Sequence, residues 1–164
     1  MRRGAGMLAV GAIVAAMLAA CSGFPFTQSV GCASWVAYDT PADATADATA
    51  VVVGHVTTRT GSGKVLGTDA HAWTVDVERW VKGSGEASIR VLSTPVGCGG
   101  QDPYPDGDPF QDAVGNRSSV LFLFRGEGAW RGMTPLQAVI PATPSGGIPD
   151  AWPPGTAGSP AAGG

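Results

Sequence analysis

His55 and His71 are the only histidines in the chain, and they are the first side chains to weigh for proton-transfer chemistry. Either could serve a serine or cysteine hydrolase if Asp69 or Asp76 oriented its ring. Such an enzyme also needs an exposed nucleophile, and no G-x-S-x-G elbow occurs in the sequence. A strand histidine that packs or faces solvent is the commoner case. Asp102, Asp106, Asp108 and Asp112 form a second cluster, in the run Asp102-Pro103-Tyr104-Pro105-Asp106-Gly107-Asp108-Pro109. Calcium favours several carboxylate and carbonyl oxygens on a flexible loop. Here the spacing is not the EF-hand register and no Glu closes it, while aspartates beside Gly and Pro make turns. Arg59-Thr60-Gly61-Ser62-Gly63-Lys64 imitates a phosphate loop but has Thr58 and Val65 where a Gly and a Ser or Thr are required. Gly61, Gly63 and Gly67 also miss the dinucleotide spacing. The segment reads as a hairpin turn. No catalytic constellation, metal site or cofactor site is therefore expected.

Cysteine chemistry says more. Arg2 and Arg3 precede an uncharged run from Gly4 to Met17, and small residues then lead into Cys21. This is the three-part layout of a secretory signal. The run is shorter than the roughly 20 residues that a helix needs to cross a bilayer. Cleavage after Ala20 by ordinary signal peptidase fits the same residues. Leu18-Ala19-Ala20-Cys21 resembles a bacterial lipobox. The resemblance implies a signal peptide over 1–20 and a Cys21 that is diacylated on its sulfur and freed at its amino side. The mature protein would then be a lipoprotein, lipid-anchored on the extracytoplasmic face of the cell membrane. Two acyl chains supply the two signals that stable anchoring takes.

Assigning Cys21 to lipid leaves Cys32 and Cys98 of the three cysteines. In an oxidising compartment two cysteines most simply form a disulfide. That bridge would close a loop of roughly 65 residues, for which the chain-entropy model gives about 4 kcal/mol. There is no C-x-x-C motif, and two cysteines with two histidines barely supply a zinc site.

The formal net charge is -3, and it becomes more negative once Arg2 and Arg3 leave with the signal. The remaining basic residues, such as Arg59, Lys64, Arg79, Lys82 and Arg90, are interleaved with acids. Without a basic stripe to neutralise phosphates, nucleic acid is not an expected partner.

The elements that would position these residues follow from capping and periodicity. Residues 21–30 form a membrane-proximal spacer. Thr40-Pro41-Ala42-Asp43 sets an N-cap hydroxyl, a first-turn proline and an early carboxylate, predicting a helix from Pro41 to about Ala48. Val51 to Arg59 or Thr60 reads as a strand with both faces covered at its start, bent or bulged at Gly54. From His71 to Val81 the chain alternates: Trp73, Val75, Val77 and Val81 take one face, Thr74, Asp76 and Glu78 the other. Trp80 falls opposite Trp73, so either a bulge near Arg79 reconciles them or one is exposed as a partner contact. Ala87 to Thr94 is a third strand. Pro95 to Arg117 is a long loop, and loops of that length in small domains are functional or poorly ordered. Val120 to Phe124 is a buried strand, with Arg117 and Arg125 as gatekeepers against aggregation. Trp130 to Met133 is a fifth strand, and 141–164 is a Pro/Gly/Ala-rich tail expected to be disordered.

The pattern predicts a mainly β domain over 31–140, a small five-stranded barrel with one short helix. The strings Ala50-Val51-Val52-Val53-Gly54-His55-Val56, Trp73 to Gly83, Cys98-Gly99 and Val120-Leu121-Phe122-Leu123 resemble the netrin-like module, over residues 32 to 125. That OB-fold family contains the tissue inhibitors of metalloproteinases. The resemblance implies an OB-like barrel and places Cys32 at the module's N-terminal bridging cysteine. In the inhibitors, a cysteine at the mature N-terminus presents its free amine and carbonyl to the catalytic zinc. Cys32 is internal and Cys21 would carry lipid, so that activity does not transfer. The expected function is a tethered, non-catalytic binding module for an unknown envelope protein or small ligand. The alternatives are an envelope hydrolase or a purely structural accessory lipoprotein. Trp80, Tyr104 and Phe110 are the candidate partner contacts.

Overall fold

The structure is a computed structural model and describes residues 33–97, 100–126 and 128–156. The readings placed on Cys21, Cys32 and Cys98, on the signal and on the spacer lie outside the described residues. Local signals set the first element. The Thr40 hydroxyl accepts from Asp43 N at 3.1 Å, while Asp43 Oδ2 accepts from Thr40 N at 3.2 Å. This reciprocal box, with Pro41 in the first turn, starts helix α1 at Pro41–Asp47. Lys82 closes its far end by donating to the Thr45 and Ala46 carbonyls at 3.0 and 2.7 Å.

The strands are β1 (Ala50–Val65), β2 (Thr68–Lys82), β3 (Ser88–Leu92), β4 (Ser119–Arg125), β5 (Trp130–Gly132) and β6 (Val139–Pro141), with a single-turn helix α2 (Pro109–Ala113) between β3 and β4. They form one six-stranded sheet in the order β1-β2-β3-β5-β4-β6, and β1 also pairs with β4. That last pairing closes the first five into a ring, in which only β3 and β5 run parallel. The result is a mainly β barrel, as the strand pattern indicated, closed in the OB-like manner that the resemblance implied. β6 is an addition: it covers the Ser119–Leu121 end of the β4 edge, beside the stretch taken by β5.

The continuous apolar runs in β1 and β4 have a direct cause. Ala50, Val52, Val56, Leu121 and Leu123 fill the barrel interior with Trp73, Val75, Ile89 and Val91. Val51, Val53, Val120 and Phe122 face outward into a second cluster with Ala44 and Ala48 of the α1 region, Met133 and Ile140. Both faces of these strands are covered, so neither alternates. Gly54 sits at a register shift, and a Cβ there would lie 2.3 Å from Asp76 O. No other residue fits that approach. Of the two alternatives for Trp73 and Trp80, the bulge near Arg79 is present: Val53 pairs with Arg79 and Gly54 with Val77, leaving Glu78 as the extra residue. It returns Trp80 to the interior side, and Trp73 and Trp80 pack on the same cluster.

Two boundaries need correction. The hairpin turn is not at Gly61–Lys64, which stays in β1 paired with Ala72, His71, Ala70 and Asp69. The chain reverses at Leu66-Gly67, whose φ values of 49° and 84° suit a two-residue turn. The glycine at 63 serves packing, because a Cβ there would meet Leu92 Cδ2 at 2.9 Å. The packed domain also does not stop at residue 140. Ile148 and Trp152 lie against the outer cluster, Trp152 Nε1 donates to Tyr38 O at 2.7 Å, and Arg79 donates to Gly146 O at 2.8 Å. Trp152 meets Phe122 edge-on at 5.7 Å between ring centroids. Two large apolar side chains, set among Pro and Gly, are enough to seat this segment on the outer face of β4. Residues 157–164 lie outside the described residues.

Candidate functional site

The segment from Pro95 to Arg117 is anchored at one carboxylate. Asp108 caps α2, its Oδ1 accepting from Phe110 N at 3.0 Å, with Pro109 in the first turn. This turn drives Phe110 into the barrel interior beside Trp73 and Leu121. Asp108 Oδ2 then accepts from His71 Nδ1 at 2.8 Å, Trp73 Nε1 at 3.1 Å and Ser93 Oγ at 2.8 Å. Tyr104 completes the hub. Its hydroxyl donates to Ser93 O at 2.9 Å, accepts from His71 N at 3.2 Å and lies 2.7 Å from Ser93 Oγ. Burial raises the Tyr104 phenol above its ordinary pKa, against the opposing pull of its hydrogen bonds with Ser93 and the His71 backbone.

These positions correct two candidate partner contacts. Phe110 is 1% exposed and Tyr104 7% exposed, so neither is a surface contact; Phe110 plugs the barrel and Tyr104 fastens the loop. The third, Trp80, is half-buried and supports its neighbour Trp130. Neither acid weighed as a partner for a histidine, Asp69 or Asp76, meets one. Asp69 pairs with Lys64 at 2.8 Å, and Asp76 accepts from Ser88 Oγ at 3.0 Å. His55 instead meets Glu78 at 2.7 Å on an exposed surface, where Ser118 donates to the same oxygen. Asp108, read as one of four turn aspartates, is the residue that orients His71. Asp102 does make a turn, accepting from Tyr104 N at 2.9 Å. Among the described residues no group of three or more His, Cys, Asp and Glu side chains could hold a metal ion.

Chemically, the hub contains an acid and an imidazole. An ionised carboxylate only accepts, so toward Asp108 it is His71 Nδ1 that donates. Among the described residues no side chain hydrogen-bonds His71 Nε2. Ser93 donates to the carboxylate and not to the ring, so the imidazole does not activate it.

A different arrangement lies where β3, the end of β4 and the start of β5 meet. Trp130 stands 5.7 Å from Trp80, centroid to centroid. The Arg125 guanidinium lies over the Trp130 ring at 4.6 Å, a stacked cation–π contact. Arg90 donates from one terminal nitrogen to Ser62 O at 2.9 Å. Gly85 approaches Trp80 so closely that a Cβ would meet Cζ2 at 2.5 Å. Glu86, Arg90, Arg125 and Trp130 border a cleft of about 330 Å³. Among the described residues the ion pairs are His55–Glu78, Lys64–Asp69 and His71–Asp108, so neither arginine has a carboxylate partner there. A second groove, of about 670 Å³, runs between α2, β6 and residues 154–156.

The sequence missed this cleft as a site. Arg125 read as a gatekeeper and Arg90 as one of several interleaved charges. Only the parallel β3–β5 pairing brings them to one place, and no local pattern announces it. The architecture is thus a small OB-like barrel with one end plugged and one aromatic, arginine-bordered cleft. Comparison with known proteins finds no matching family model, no similar curated protein and no similar solved structure.

Proposed function

We propose that this protein is an extracytoplasmic lipoprotein, tethered to the cell membrane by a diacylglyceryl group on Cys21, whose barrel acts as a non-catalytic binding module. The tether rests on the basic start, short apolar run and Leu18-Ala19-Ala20-Cys21. The resemblance of residues 32 to 125 to the netrin-like module supports a binding role. The observation that carries that role is the cleft beside Trp130, where two arginine side chains are held in place yet have no carboxylate partner among the described residues. Directional groups left uncommitted beside a concavity are what a binding site requires.

Membrane fractionation of cells expressing the full chain tests the tether. The wild-type protein is expected in the membrane fraction with the mass of a diacylglyceryl group added, and Cys21→Ala in the soluble fraction. Wild-type protein that fractionates as soluble and unmodified would remove the anchoring reading. A second reading, an envelope hydrolase, is favoured by the Asp108–His71 pair. Hydrolysis of an ester substrate that disappears in His71→Ala, with the fold retained, would establish it over the binding reading.

A further inference from the structure

We propose that the cleft between β3, the end of β4 and β5 binds a sugar acid, with its carboxylate held by Arg125 and Arg90 and a ring hydroxyl by Glu86. The inference rests on the binding-module reading and deepens it.

The first support is preorganisation. A guanidinium is a planar fork whose in-plane N–H groups match a carboxylate, while its face stacks on aromatic rings. Trp130 occupies one face of Arg125, at 4.6 Å, which leaves the N–H edge for an oxyanion. Arg90 is restrained in a different way, by donation to the backbone oxygen of Ser62 at 2.9 Å, and it retains further donors. Both arginines border the same cleft. Holding these long side chains before the ligand arrives lowers the entropy cost of binding.

The second support is charge. The chain has a formal net charge of -3, yet among the described residues the charged groups lining this cleft are Arg90 and Arg125 against Glu86. The local excess of positive charge in an acidic protein selects an anion. Glu86 refines the class. Its carboxylate repels a bare oxyanion but accepts hydrogen bonds from hydroxyl groups, so the fitting ligand carries an acid and neighbouring hydroxyls. A volume of about 330 Å³ accommodates one sugar ring, and the apolar surface of Trp130 and Ile89 can lie against its C–H face.

Isothermal titration of the full chain in detergent micelles, at low salt, tests this with three probes: galacturonate, galactose and inorganic phosphate. Galacturonate is expected to bind most tightly, galactose and phosphate each about tenfold or more weaker. Arg125→Ala and Arg90→Ala are each expected to weaken galacturonate about tenfold. Both side chains are exposed, and an unchanged unfolding midpoint will show that the fold is retained. Glu86→Gln is expected to narrow the gap between phosphate and galacturonate, by removing repulsion and weakening the hydroxyl contact. Galactose binding as well as galacturonate would overturn the acid assignment while leaving a binding module. Phosphate binding tighter than galacturonate would overturn the sugar assignment. Galacturonate binding that survives both arginine substitutions would overturn the site. If galacturonate does not bind but an envelope partner is retained by the wild type and lost in Arg125→Ala, the proposal fails and the binding-module reading stands.

Discussion

The hub around Asp108 and the cleft around Trp130 hold similar kinds of residue, aromatics beside charged groups, but arrange them oppositely. In the hub, both carboxylate oxygens of Asp108 are engaged, by Phe110 N, His71 Nδ1, Trp73 Nε1 and Ser93 Oγ. Each partner belongs to the protein, and the carboxylate is 5% exposed. In the cleft, Arg90 and Arg125 touch backbone and ring but no acid among the described residues. A polar cluster whose bonds close on itself holds a fold together. One whose directional groups remain open to solvent is equipped to meet a ligand. The residue types alone would have favoured the reverse, because His, Ser and Asp suggest catalysis more strongly than Arg and Trp suggest binding.

This contrast can be broken experimentally, starting with the largest effect. Phe110→Ala should cost about 3–5 kcal/mol in urea unfolding, because it empties the plugged end of a packed barrel. A loss below about 1 kcal/mol would mean that α2 is not part of the core. Asp108→Ala should cost about 3 kcal/mol, since it leaves several buried donors without an acceptor. If it unfolds like the wild type but destroys a measurable activity, the hub is a site and the comparison is inverted.

A smaller effect concerns alkaline pH. Tyr104 is raised above the ordinary tyrosine pKa chiefly by burial, and Tyr38 is pushed up to about 12 by desolvation and the neighbouring Asp47. A group whose folded pKa is raised binds its proton more tightly in the native state. Its contribution is therefore complete below about pH 10, the unfolded tyrosine value, and is lost as pH climbs toward the folded value. The urea midpoint should fall as pH rises above about 10, and the fall should be shallower in Tyr104→Phe. An unchanged slope in that variant would separate Tyr104 from the hub. Least of all, Arg125→Ala should alter unfolding by no more than about 0.5 kcal/mol. A loss of 2 kcal/mol or more would make the cleft, too, a structural device.

Much of the frame was legible because local chemistry wrote it. Thr40-Pro41 with Asp43 located α1 within a residue of its end, and the apolar runs of β1 and β4 reported strands covered on both sides. The parity of Trp73 and Trp80 left either a bulge beside Arg79 or an exposed tryptophan, and the structure has the bulge. What stayed hidden depends on contacts between residues far apart in the chain. His71 and Asp108 are 37 residues apart, and only the cap of α2 brings them together. The candidate contacts Tyr104 and Phe110 looked exposed because Pro, Gly and Asp surround them, yet each aromatic side chain has a buried place. The same error hid the seating of Ile148 and Trp152. The cleft needed the parallel pairing of β3 with β5, for which a strand of three residues, Trp130–Gly132, gives almost no periodic signal.

The five tryptophans of the chain offer the most direct measurement, because they separate the two regions in a single spectrum. Trp73 donates its indole N–H to Asp108 in the hub, whereas Trp80 and Trp130 stand together beside the cleft. In an amide and indole ¹H–¹⁵N correlation spectrum of the full chain in micelles, titrated with galacturonate, the Trp130 indole signal should move to saturation. The Trp80 signal should follow, and that of Trp73 should stay in place. Movement of Trp73 with Trp130 unmoved would assign recognition to the hub and contradict the account.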